Sequence, residues 1–227
     1  MKTVKLIPAL DCSELAEAIR IVRAVDQVEG VYGYKLGFSL GLGYGLPRVV
    51  EEIRKVSKKP VIYDHQKAAT DIPDTGDLFA KTLARAGIDE AILFPQAGPE
   101  TLAAWTVALQ AKEIKVIVGG IMTHKKYLAS EGGFLQDEGI LGAYQAAVAL
   151  GVKAFVVPLT KPELVRQVAE RVGEGDWEFY SPGMGKQGGS LKDFEFLKRH
   201  YLIVGRSLMS APDPVQWLET TLKEAAT

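Results

Sequence analysis

The chain has 227 residues, enough for one domain or two small ones, and its 47% hydrophobic and 24% charged residues can fill and solubilise a sizeable core. A formal net charge of −1 excludes a global field favouring nucleic acid or an anionic membrane, so any phosphate must be held locally. The single cysteine, Cys12, excludes an intrachain disulfide framework and a thiolate-rich zinc site.

Short β-branched runs alternate with amphipathic stretches from end to end. The first strand is predicted over Val4–Leu10. Asp11 stops this apolar run too early for a signal-peptide core, and no segment has the apolar length to span a bilayer, so a cytoplasmic protein is expected. A helix follows with Leu15, Ala18, Ile19, Val22 and Val25 on one face and Ser13 as its N-cap. The second strand is Gly33–Phe38, with a helix over Pro47–Val56. The third is Val61–Asp64, followed by a helix carrying Leu78, Phe79, Leu83 and Ala86. Ala91–Phe94 and Val116–Gly119 are the fourth and fifth, separated by a helix over Thr101–Ala111. An irregular stretch, Ile121–Glu138, is a candidate lid and precedes a helix through Ala143–Leu150. Ala154–Pro158, Glu178–Ser181 and Leu202–Gly205 complete the strands, with helices over Pro162–Val172, Asp193–Arg199 and Pro214–Ala225.

Eight strand–helix units without a linker predict an α/β chain folded as one (β/α)8 barrel over residues 1–227. A doubly wound open sheet is the alternative, but it would want a glycine fingerprint after the first strand, where Asp11-Cys12-Ser13 stands. In a barrel, function sits at the carboxyl ends of the strands. The polar residues there are Asp11, Lys35, Asp64, Ser181 and Gly205-Arg206, with Lys67 and Asp71 in the loop beyond the third strand. A lysine held between carboxylates stays protonated and can stabilise and then protonate a carbanion. The glycine-rich Ser181–Gly189 loop and Ile203–Ser207 occupy the recurrent phosphate position of such barrels, after strands seven and eight. Arg206 adds a bidentate cation.

At these residues the chain resembles the orotidine 5′-phosphate decarboxylase family. The matching segments are PALD (Pro8–Asp11), YKLGF (Tyr34–Phe38), D-x-x-K-x-x-x-D-I-P-D-T (Asp64–Thr75), SPGMGKQGG (Ser181–Gly189) and VGRS (Val204–Ser207). The resemblance implies decarboxylation of orotidine 5′-phosphate to UMP without metal or organic cofactor. It implies that Asp11 and Lys35 bind the ribose, Asp64 stresses the substrate carboxylate and Lys67 donates the proton to C6. Asp71 and Thr75 would reach into the neighbouring subunit of a homodimer. Gln187, Gly205 and Arg206 would hold the phosphate, Thr123 would read the pyrimidine edge, and Pro182 would line the base pocket.

The family's catalytic signature is a tighter D-x-K-x-x-D-I. On a regular strand Asp64 and Lys67 face opposite ways, so a bulge near His65–Gln66 is needed for them to converge; otherwise Gln66 takes the inward position. His65, His124 and His200 are scattered without ligand spacing, which argues against a metal site. Two alternatives remain. The related 3-keto-gulonate 6-phosphate decarboxylases and hexulose-phosphate synthases share the barrel but need Mg2+, with a carboxylate where this chain has the cation Lys35. A non-catalytic sugar-phosphate or nucleotide sensor would have no use for the alternating charges of Lys35, Asp64, Lys67 and Asp71.

Overall fold

The structure is a computed structural model that describes residues 3–64, 68–184 and 191–226. Eight strands form one parallel sheet: β1 (Thr3–Pro8), β2 (Tyr34–Leu36), β3 (Val61–Tyr63), β4 (Glu90–Leu93), β5 (Lys115–Gly119), β6 (Ala154–Val156), β7 (Glu178–Pro182) and β8 (Arg199–Val204). Their order is β1-β8-β7-β6-β5-β4-β3-β2, and each pairs in parallel with its neighbour. The ring closes between β1 and β2 through bridges at Leu6–Val31 and Ala9–Lys35. The expected barrel is therefore the observed one, and the open sheet is not.

The helices are α1 (Leu15–Val25), α2 (Phe38–Tyr44), α3 (Leu46–Arg54), α4 (Gly76–Ala86), α5 (Pro99–Gln110), α6 (Asp137–Ala149), α7 (Pro162–Val172), α8 (Arg206–Met209) and α9 (Pro214–Ala226). They cover the outside because parallel strands must be buried on both faces. Strand alternation sorts the core in two. Ile7, Ile62, Ile92, Ile117, Ala154, Val156, Tyr180 and Ile203 pack together inside the barrel. Leu6, Val61, Tyr63, Leu93, Val118, Phe155, Phe179 and Leu202 pack against the helices. Gly119 is needed inside, since a Cβ there would lie 2.6 Å from the Phe94 ring.

Three local expectations are corrected. Glu14, not Ser13, is the N-cap of α1, in extended conformation and without a side-chain cap. The second strand, expected to reach Phe38, ends at Leu36, and FSLGLGY folds as α2 despite its two interior glycines, with Leu40 buried and Gly45 ending it at φ 78°. The helix expected over Asp193–Arg199 is a single 3-10 turn at Leu191–Phe194. Turns follow it, and β8 starts at Arg199, which pairs with Thr3 at the beginning of β1.

The amino-terminal end of the barrel is sealed by a polar plug. Glu90, 3% exposed, accepts hydrogen bonds from the hydroxyls of Tyr32 and Tyr180, the latter at 3.1 Å. Lys115 pairs with Glu178 and lies 5.3–5.7 Å from the ring centres of Tyr32, Tyr180 and Tyr201. Tyr180 and Tyr201 stack at 4.6 Å. Buried charges of this kind are tolerable only because each is paired or hydrogen-bonded.

Candidate active site

At the opposite, carboxyl end, a cavity of about 260 Å3 opens among the strand ends, lined by residues of every strand or of the segment directly after it. Alternation explains its polar residues. Asp11 is in phase with the inward Ile7 and Ala9, and Asp64 with Ile62, while Lys35 lies between the outward Tyr34 and Leu36. Lys35 Nζ stands 3.3 Å from Asp11 Oδ1 and 3.1 Å from Asp64 Oδ2. Burial of Lys35 works against its charge, but the two carboxylates outweigh it and hold the ammonium above the ordinary lysine value. Asp64 Oδ1 is buried with no hydrogen-bond partner among the described residues.

Two motif glycines make room for this triad. A Cβ on Gly37 would lie 3.3 Å from Asp11 Oδ1, and one on Gly205 would lie 3.2 Å from Asp11 Oδ2. Any side chain at either position would press on the carboxylate that Lys35 holds. Gly205 also caps α8, whose first residue, Arg206, is exposed and has no ion-pair partner among the described residues. Gly183, at φ 105°, turns the chain away from β7 at the beginning of the glycine-rich loop.

Of the residues singled out from the sequence, Asp11, Lys35, Asp64, Thr123, Pro182, Gly205 and Arg206 line this one cavity. Lys67 and Gln187 lie outside the described residues, as do His65 and Gln66. Asp71 and Thr75 are not among the lining residues. The Asp71 carboxylate is exposed and accepts from the Ile72 N–H at 2.7 Å, and Thr75 Oγ1 donates to the Ile72 carbonyl at 2.8 Å. Their segment is tied to α5, where Thr101 Oγ1 donates to the Asp71 carbonyl and Trp105 Nε1 to that of Ile72.

Ser181 is not at the mouth. It faces outward, fully buried, with Oγ 2.6 Å from His200 Nε2. Its neighbours Tyr180 and Pro182 take the inward positions. Sequence reasoning missed the apolar lining: Phe94, Met122, Val156, Ile203 and, from α9, Trp217. Inward parity at the strand ends could have found Phe94, Val156 and Ile203. Nothing local distinguishes Trp217 from an ordinary helix residue packed on the core.

Among the described residues no three His, Cys, Asp or Glu side chains gather as a metal site. The donor chemistry is also unsuited to Mg2+: the carboxylates of Asp11 and Asp64, which could ligate it, already face the Lys35 ammonium. No helix among the described residues is long and apolar enough to cross a membrane.

The chain matches the family model of orotidine 5′-phosphate decarboxylase / HUMPS over residues 4–221. It is 33% identical over 211 residues to the orotidine 5′-phosphate decarboxylase of Methanosarcina mazei, covering 92% of this chain and 89% of the relative. The enzyme of Pyrococcus furiosus is 32% identical, with 92% of each chain covered. The crystal structure of orotidine 5′-monophosphate decarboxylase from Methanocaldococcus jannaschii, complexed with the inhibitor BMP, superposes with a TM-score of 0.84 at 29% identity, covering 99% of this chain and 100% of that one. With motif segments, barrel topology and sequence identity agreeing along nearly its whole length, the chain belongs to the orotidine 5′-phosphate decarboxylase / HUMPS family.

Proposed function

We propose that the chain converts orotidine 5′-phosphate to UMP and CO2 without a metal or organic cofactor. The observation that carries this reading is the buried Lys35 ammonium between Asp11 and Asp64, in the same cavity as Gly205 and Arg206. In this reading Arg206 and the Gly205 N–H hold the 5′-phosphate, together with Gln187. Asp11 and Lys35 bind the ribose hydroxyls, and Met122–Thr123 and Pro182 face the pyrimidine.

The substrate carboxylate then lies against Asp64. Two like charges at that distance repel, and the repulsion is released when the bond from C6 to the carboxylate breaks and CO2 leaves. The electron pair stays on C6 as a vinyl carbanion, and a proton from the Lys67 ammonium neutralises it. The orphaned Asp64 Oδ1 fits a position that a second cation completes. No covalent intermediate is needed, and the barrier falls through fixed charges that need no reorganisation.

Asp71 and Thr75 are not among the residues that line the cavity of their own chain, and in this reading they serve a neighbouring site. The exposed Ile72 and Leu78 beside them, 58% and 67% accessible, are apolar surface of the kind a second copy would cover. The Mg2+-dependent reaction of the related sugar-phosphate enzymes is disfavoured by Lys35, whose charge repels a divalent ion. The test is to incubate the protein with orotidine 5′-phosphate and analyse the products. Equal amounts of UMP and CO2 are expected, and an unchanged substrate pool would refute the assignment.

A further inference from the structure

The stretch 121–138 is a cross-tied loop that forms one wall of the cavity. Where it leaves β5, the fully buried Tyr144 hydroxyl accepts from the N–H groups of Gly120 at 2.9 Å and Ile121 at 3.3 Å. The same hydroxyl donates to the Val156 carbonyl at 2.8 Å. Two residues on, Thr160 Oγ1 donates to the Thr123 carbonyl at 3.2 Å. Farther along, Glu131 folds the loop onto itself by accepting from the N–H groups of Tyr127 and Leu128 at 3.2 and 3.4 Å. It also pairs with Lys161 Nζ at 2.7 Å. Gly133 admits no side chain in this turn, since a Cβ would lie 2.2 Å from the Tyr127 carbonyl oxygen.

The Lys161 side chain is only 9% exposed. Burial pushes the Glu131 carboxyl up, but the hydrogen bonds from Lys161 and the two amides outweigh it and hold it below the usual carboxylate range. An ion pair this withdrawn from water adds little net stability, because desolvation offsets its attraction. What it does fix is geometry. Both outer ties, Thr160 and Lys161, are consecutive residues after β6, so one backbone segment fastens the loop at Thr123 and at Glu131, beside the ties from Tyr144 and from Gln96, whose Nε2 donates to the Tyr127 hydroxyl.

We propose that Lys161, acting through Glu131 and seconded by Thr160, is a positioning residue that sets Met122 and Thr123 at their height over the cavity and so governs affinity for the base half of the ligand. This rests on the reading of the cavity as a nucleotide site. In the same reading the phosphate half is held by Gly205 and Arg206 after β8 and by Gln187 after β7, not by Met122 or Thr123.

The test compares wild type with Lys161→Met, which keeps the aliphatic stem, Lys161→Arg, which keeps the charge, and Thr160→Val, which keeps the shape. Each is assayed for orotidine 5′-phosphate turnover and for inhibition by UMP and by ribose 5-phosphate, which lacks the base. Lys161→Met should weaken UMP and raise KM by about tenfold, the usual scale for one lost charge-assisted bond, with kcat and ribose 5-phosphate inhibition nearly unchanged. Lys161→Arg should restore most of the loss. Thr160→Val should shift UMP in the same direction by a smaller factor, and it carries the test if Lys161→Met does not fold. Unchanged UMP inhibition, or equal weakening of UMP and ribose 5-phosphate, would overturn the proposal while leaving the activity intact. A wild type that neither turns over orotidine 5′-phosphate nor binds UMP would remove the functional reading itself, and the positioning role with it.

Discussion

Lys35 owes its charge to two neighbours and its place to strand parity. Both were legible in the sequence: a lysine one residue after Tyr34 in a short buried strand, and aspartates at the ends of the two strands that flank it. What could not be read was which polar residues turn away. Ser181 alternates with Tyr180 and Pro182, and only the observed register shows that the serine takes the outer side with His200. Arg206 was legible from its place after the eighth strand. Replacing it with Ala should raise KM for orotidine 5′-phosphate by one to two orders of magnitude, roughly the 1.5–3 kcal/mol of a charge-assisted bond, with a smaller effect on kcat. Steady-state kinetics decide this, and an unchanged KM would contradict the phosphate assignment.

Among the elements, the strands were legible because parallel strands buried on both faces read as apolar runs. Their ends were not, since tertiary pairing extended β8 back to Arg199, and α2 formed against the glycine content of its own segment. The barrel plug was missed altogether. Glu90, Lys115, Glu178 and three tyrosines are spread over four strands and the segment before β2, and no local pattern joins them. Its chemistry predicts alkaline sensitivity. Burial and the charge of Glu178 push Tyr201 up to about 12, and burial with the charge of Glu90 raises Tyr32 and Tyr180 further. The unfolded chain loses these protons near pH 10, before the folded one does. The stability that protonated tyrosines contribute is thus complete below about pH 10 and falls as pH rises toward their folded values. Denaturant titrations from pH 9 to 12 should show a shallower loss for Tyr201→Phe than for wild type; equal slopes would show that the plug does not titrate.

On the scale of the molecule, the closed barrel divides labour between its ends, with a sealed polar plug at one and the charged cavity at the other. The barrel and most of the cavity's polar wall followed from alternation and motif order. Asp71 and Thr75 stand outside that wall, Asp71 exposed beside the exposed Ile72 and Leu78, and their proposed place in a neighbouring site rests on motif order alone. If they complete a neighbouring site, specific activity should fall on dilution in step with dissociation of the dimer by sedimentation. A fully active monomer would contradict the shared site.

In the proposed reaction fixed side-chain charges alone drive the decarboxylation, with the Lys35 ammonium held between Asp11 and Asp64. The most direct measurement is ultraviolet-monitored turnover of orotidine 5′-phosphate after exhaustive EDTA treatment, with and without added Mg2+. Full activity in EDTA, unchanged by Mg2+, is the predicted result. Activity that appears only with Mg2+ would contradict it and would mean that Lys35 does not do what its position between Asp11 and Asp64 implies.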